Sequence, residues 1–124
     1  MILEANEIYF NPNDEGCAIA GFKSATEAYV LVSRDLEPTE QDISLNLAGI
    51  HLEFLEQGWR CYDGISRFMI YPEKIEIELN TRGALATQQE RIEIRYDSIP
   101  ERRTQLRAVL RTIFEAFPSF TDVA

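Results

Sequence analysis

The sequence predicts an α+β fold, a mainly antiparallel sheet of about six to eight strands with one C-terminal amphipathic helix packed on it. Three observations predict it. Apolar and polar residues alternate over short segments, clusters of turn formers separate those segments, and beyond residue 98 the apolar period lengthens to three and four. The 124 residues suit a single domain, 1–124, long enough to bury a core of its own.

Residues 2 to 10 form a loosely alternating first strand, ended by Asn11-Pro12-Asn13-Asp14-Glu15-Gly16. Cys17 to Lys23 and Ala28 to Arg34 read as a hairpin, and the run Tyr29-Val30-Leu31-Val32 marks its second strand as central and covered on both faces. Residues 35 to 47 are interrupted by Pro38 and by acidic side chains, and read as an acidic loop leading into a short strand through Ile43, Leu45 and Leu47. Gly49 to Glu56 alternates, turns at Gln57-Gly58 and continues as Trp59 to Tyr62, with Asp63-Gly64 a second turn signal. Ser66 to Tyr71 pairs with Glu73 to Asn80, and Arg91 to Tyr96 follows. Placing Glu76 and Glu78 opposite Arg91 and Arg95 favours the last pairing. Ser98-Ile99-Pro100-Glu101 has the form of a capping box. Leu106, Val109, Leu110, Ile113, Phe114 and Phe117 then make one apolar stripe on a helix from about 99 to 117, stopped by Pro118.

Twenty-one acidic against 12 basic residues leave a formal charge of −9. Affinity for phosphate backbones needs surplus Lys and Arg, so neither nucleic acid nor an anionic membrane is the expected partner. The opening Met1-Ile2-Leu3-Glu4 lacks the basic and apolar regions of a signal peptide, and no apolar run approaches the roughly 20 residues that span a bilayer. A cytoplasmic protein is expected. Cys17 and Cys61 read as half-buried free thiols, and with His51 the sole histidine no zinc set is expected.

Catalytic signals are lacking. The glycines form no phosphate loop, His51 lies within a strand and is accompanied by no nucleophile elbow, and carboxylate pairs are expected by chance among so many acids. No enzyme activity and no cofactor are therefore expected. Two charge features stand out. Arg103, Arg107 and Arg111 recur four apart on one helix face, which is either a solvated face or a docking stripe for the chain's own acidic surface, a second copy or a partner. Between residues 35 and 63, seven acids face Arg60 alone, and Trp59 and Tyr62 add aromatic types common at binding hot spots.

In that segment Glu40-Gln41-Asp42-Ile43, Leu45, Gly49, Gln57-Gly58 and Tyr62-Asp63-Gly64-Ile65 resemble the pattern of immunity protein family ten, bacterial proteins encoded beside polymorphic toxins. The tyrosine-bearing strand from Ala28 to Arg34, two charged strands and the helix from Leu106 to Phe114 extend the resemblance over about residues 28 to 115. Asp63 departs from it, standing where the family pattern has glycine.

The resemblance implies inhibition of a cognate toxin by direct binding and supplies no catalytic residues. An acidic inhibitor also suits a basic nuclease cleft, whose encounter it would speed by electrostatic steering. The expected binding face comprises Asp35, Glu37, Glu40, Asp42, Glu53, Glu56, Trp59, Tyr62 and Asp63. The alternative is a non-catalytic small-molecule-binding or self-associating scaffold module, for which a pocket lined by Trp59, Tyr62 and Tyr71 would speak. Exposed sheet edges would also admit a homodimer.

Overall fold

The computed structural model describes residues 1–45, 48–54, 59–96 and 100–123. Ten strands and three helices lie among them, in two five-stranded sheets rather than the single sheet of six to eight strands expected. The first sheet is ordered β1 (Ile2–Ala5), β9 (Arg91–Tyr96), β8 (Lys74–Leu79), β7 (Ile65–Ile70), β10 (Phe120–Asp122). The second runs β2 (Glu7–Asp14), β3 (Cys17–Lys23), β4 (Tyr29–Asp35), β5 (His51–Phe54), β6 (Trp59–Tyr62).

The expected first strand is thus two. The chain changes sheets at Asn6, whose N–H donates to the Lys23 carbonyl at 2.8 Å, so β1 joins β9 while β2 joins β3. Alternation runs across the switch and hides it. The β1–β9 and β7–β10 pairs are parallel, and every other ladder is antiparallel. As expected, β4 is central. Its Val30 and Val32 are buried on the inner face, whereas Tyr29 and Leu31 on the outer face are only half covered.

Helix α3 (Pro100–Ile113) is shorter than the expected 99 to 117, and residues 114–116 form a turn before Pro118. The expected capping box falls largely outside the described residues. Leu106, Val109, Leu110 and Ile113 are buried, and Ala18 and Ala20 on β3 are small enough for the helix to come close to that sheet. Phe114 then reaches the other sheet, where its ring lies 4.3 Å from Phe68 and 5.4 Å from Phe120. Buried side chains of this size contribute roughly 1.5–3 kcal/mol each relative to exposure, so one apolar cluster binds helix and both sheets.

Two short helices complete the chain. α1 (Glu40–Ser44) replaces the expected loop and strand, because Thr39 and Asp42 form a reciprocal capping box at 3.1 Å each way. Leu47, assigned to that strand, lies outside the described residues. α2 (Thr81–Thr87) had no sequence expectation and is capped by the Asn80 side chain, which accepts from the Gly83 N–H at 2.9 Å.

Candidate functional site

Strand alternation distributes the expected binding residues over two faces of the second sheet. Val30 and Val32 of β4, with Leu52 and Phe54 of β5, point inward to α3 and the other sheet. Asp35, Glu53 and Tyr62 therefore share the outward face, while Trp59, opposite Phe54, belongs to the inward one. Glu56 lies outside the described residues, as does the Gln57-Gly58 turn.

Asp35, Glu37, Glu40 and Asp42 gather where β4 ends and α1 begins. The Asp35 carboxylate accepts the Glu37 N–H at 3.1 Å, and the Asp42 carboxylate is committed to its cap. Glu37 and Glu40 remain exposed. α1 buries none of its residues and leaves Ile43 and Leu45 at 57% and 56% exposure, so acidic and apolar groups are presented together. The expected strand would have turned one set inward.

On the outward face, Glu53 accepts a 2.5 Å hydrogen bond from the Tyr29 hydroxyl across the β4–β5 ladder. Burial, then the Glu53 bond and charge, push the Tyr29 phenol up to about 12. His51 lies with its ring 4.8 Å from that of Tyr62, and burial holds its pKa below the ordinary 6.5. Tyr9, Ile19 and Leu31 continue this face across β2, β3 and β4, with Tyr9 51% exposed. Sequence reading omitted these three, although their alternation with Ile8, Ala20 and Val30 placed them there.

Asp63 does a different job. It takes the left-handed conformation, φ 54°, that the family's glycine would supply, and its carbonyl accepts from Asn80 Nδ2 at 2.7 Å. Gly64 does not have positive φ; it is needed because its backbone packs directly against Gly83 of α2.

The arginine stripe has an intramolecular role. Arg107 and Arg111 converge on Asp122 of β10, with Arg111 Nη2 donating to Oδ2 at 2.5 Å and Arg107 Nε 3.4 Å from Oδ1. Arg102 reaches the Ile8 carbonyl at 2.8 Å and lies over the Phe10 ring. Of the alternatives open from sequence, docking onto the chain's own surface accounts for both stripe positions that hold Asp122.

Both cysteines are free and half-buried, as expected, and burial raises both thiols. Among the described residues no group of three or more His, Cys, Asp or Glu is placed to hold a metal, and no helix is long and apolar enough to cross a membrane. Trp59 lines a cleft of about 560 Å³ beside β1, whereas Tyr71 borders another of about 680 Å³ near Arg95. Of the three aromatics expected to share a small-molecule pocket, Trp59 and Tyr71 thus open onto separate clefts.

Fold and surface define a two-sheet α+β domain with one open, aromatic-bearing sheet face and an acidic corner beside it. The family model for immunity protein 10 matches residues 4–104, and the chain belongs to that family. The match begins well before the expected residue 28 and ends inside α3, so the Leu106–Phe114 segment that helped suggest the family lies beyond it. No curated protein and no solved structure matches the chain.

Proposed function

We propose that the protein neutralises a cognate bacterial toxin in the cytoplasm by binding it directly, through the acidic corner and the adjoining outward sheet face. Membership of the immunity protein 10 family is the observation that carries this reading. Its electrostatic part rests on the net charge of −9 and on the exposed Glu37 and Glu40. Ile43 and Leu45 supply apolar contact area, while the carboxylates steer a basic partner such as a nuclease domain into register.

Placement of the acids decides which substitutions test the reading. Reversing Glu53 would break its bond to Tyr29, and reversing Asp42 would break the α1 cap, so neither isolates surface charge. Glu37→Lys combined with Glu40→Lys does. In cells expressing the cognate toxin domain, the wild-type chain is expected to restore growth. The double variant is expected to bind that domain at least about tenfold more weakly at low salt, with the gap narrowing as salt is added. Unchanged affinity at every ionic strength would remove the acidic corner from the interface.

A further inference from the structure

Strand β1 forms one edge of the first sheet, paired with β9 on one side only. The Glu93 N–H donates to the Met1 carbonyl at 2.9 Å, and the parallel register places Ile2 opposite Glu93. Met1, Leu3 and Ala5 therefore turn their backbone groups to β9, and Ile2, Glu4 and Asn6 turn theirs outward. Asn6 is already satisfied by Lys23. Among the described residues, Ile2 and Glu4 are left with outward N–H and C=O groups and no ladder partner.

Along Ile2 to Glu4 this edge borders a cleft, and it closes onto β3 where Asn6 meets Lys23. The cleft of about 560 Å³ runs along it, with Leu3, Ala28, Tyr29, Phe54 and Trp59 contributing to its walls. Ile2 at the rim is 57% exposed, and the Glu4 carboxylate beside it is 71% exposed. The strand rise makes the edge about 13 Å long, enough to pair with three or four extended residues.

We infer that this cleft receives an extended segment of the toxin, which adds to the first sheet as a strand beside β1. The inference rests on the toxin-binding function proposed above and gives that partner a shape. Backbone groups of Ile2 and Glu4 supply the main-chain bonds. One alternate set of toxin side chains then enters the cleft, where the half-buried Trp59 offers the apolar contact and Leu3 and Phe54 are nearly fully buried, and the other lies over Ile2 and Glu4. A segment alternating apolar with basic residues fits both sides, because the chain's negative charge favours cations and the exposed Glu4 carboxylate on the second side is held, among the described residues, only by Arg95, at 3.5 Å. Trp59 thereby acts as an anchor from the inward face, separate from the acidic corner.

The experiment uses the cognate toxin domain. Amide hydrogen exchange at Ile2 and Glu4, followed by NMR on the wild-type chain, is expected to be fast alone and protected in the complex. Glu4→Pro removes one outward N–H while leaving the bonds to β9 in place, and is expected to weaken toxin binding about tenfold; Glu4→Ala, which keeps that N–H, should change it less than threefold. Exchange unchanged by the toxin, together with equal binding by wild type and Glu4→Pro, would overturn the strand-addition site and leave toxin binding standing. A wild-type dimer that Glu4→Pro dissolves would overturn it in favour of a second copy. Failure of the wild-type chain to bind the toxin would overturn the function itself, and the site with it.

Discussion

Glu76 is a carboxylate at 8% exposure on the otherwise wet face of the first sheet. Burial acts to raise its pKa, but hydrogen bonds from Lys74 at 3.2 Å and Arg91 at 2.9 Å, with their charges, outweigh burial and hold it below the ordinary 4.5. A depressed carboxylate stabilises the fold above its unfolded pKa, and that contribution is lost as pH falls through the folded value. Glu76→Gln should therefore cost about 1 kcal/mol at pH 7, because both cations are partly exposed, and progressively less as urea melts are repeated down to pH 3. A constant difference across that range would argue against the ion pairs. Expected from sequence was the attraction between these strands. The partner of Arg91 was not fully fixed by it, since the register sets Glu78 opposite Arg91 while the contact forms diagonally with Glu76. Gly83 makes a second test, because a Cβ there would fall against the Gly64 carbonyl. Gly83→Ala is expected to destabilise the protein by about 1–3 kcal/mol in the same assay, although alanine is the better helix former.

At the scale of elements, β10 is three residues long and depends on more than its ladder. Phe120 stacks with Phe114 and Phe68, Val123 N–H donates to the Ile70 carbonyl, and Asp122 is held by Arg107 and Arg111. Arg107 Nε and Asp122 Oδ1 are buried without a hydrogen bond, so their contact is Coulombic, and removing the carboxylate leaves a buried guanidinium unmatched. Asp122→Ala should cost about 1–3 kcal/mol and speed exchange of the Val123 amide. Unchanged exchange would show that the aromatic stack suffices. The hairpins and the apolar stripe of α3 were legible because period and turn residues agreed over six or more positions. α1 was misread because alternation of Ile43 and Leu45 imitates a strand, and the deciding signal was instead local, Thr39 and Asp42 at capping-box spacing. α2 went unread because Gly83 lowers helix propensity, although Asn80 is a standard N-cap type. β10 lies past Pro118 and is too short to show a period. Its partner in the parallel ladder is about 50 residues distant, which no local pattern reveals.

Over the whole molecule, two sheets share one core through α3, and the charge excess lies before residue 98, largely in the connections between strands, rather than on that helix. That distribution was legible by counting; its division between an acidic corner and an outward face was not, because it depends on the sheet switch at Asn6 and on which strand faces turn inward. Glu53 and Asp42 looked like free surface charge and are engaged locally, whereas Glu37 and Glu40 present theirs to solvent. Toxin neutralisation by an acidic surface is tested most directly by stopped-flow association of the wild-type chain with its cognate toxin domain, measured from low to physiological salt and repeated with Glu37→Lys/Glu40→Lys. The account predicts an association rate that falls steeply with salt for the wild type and is lower and flatter for the double variant. Identical rates and identical salt slopes for the two proteins would contradict it.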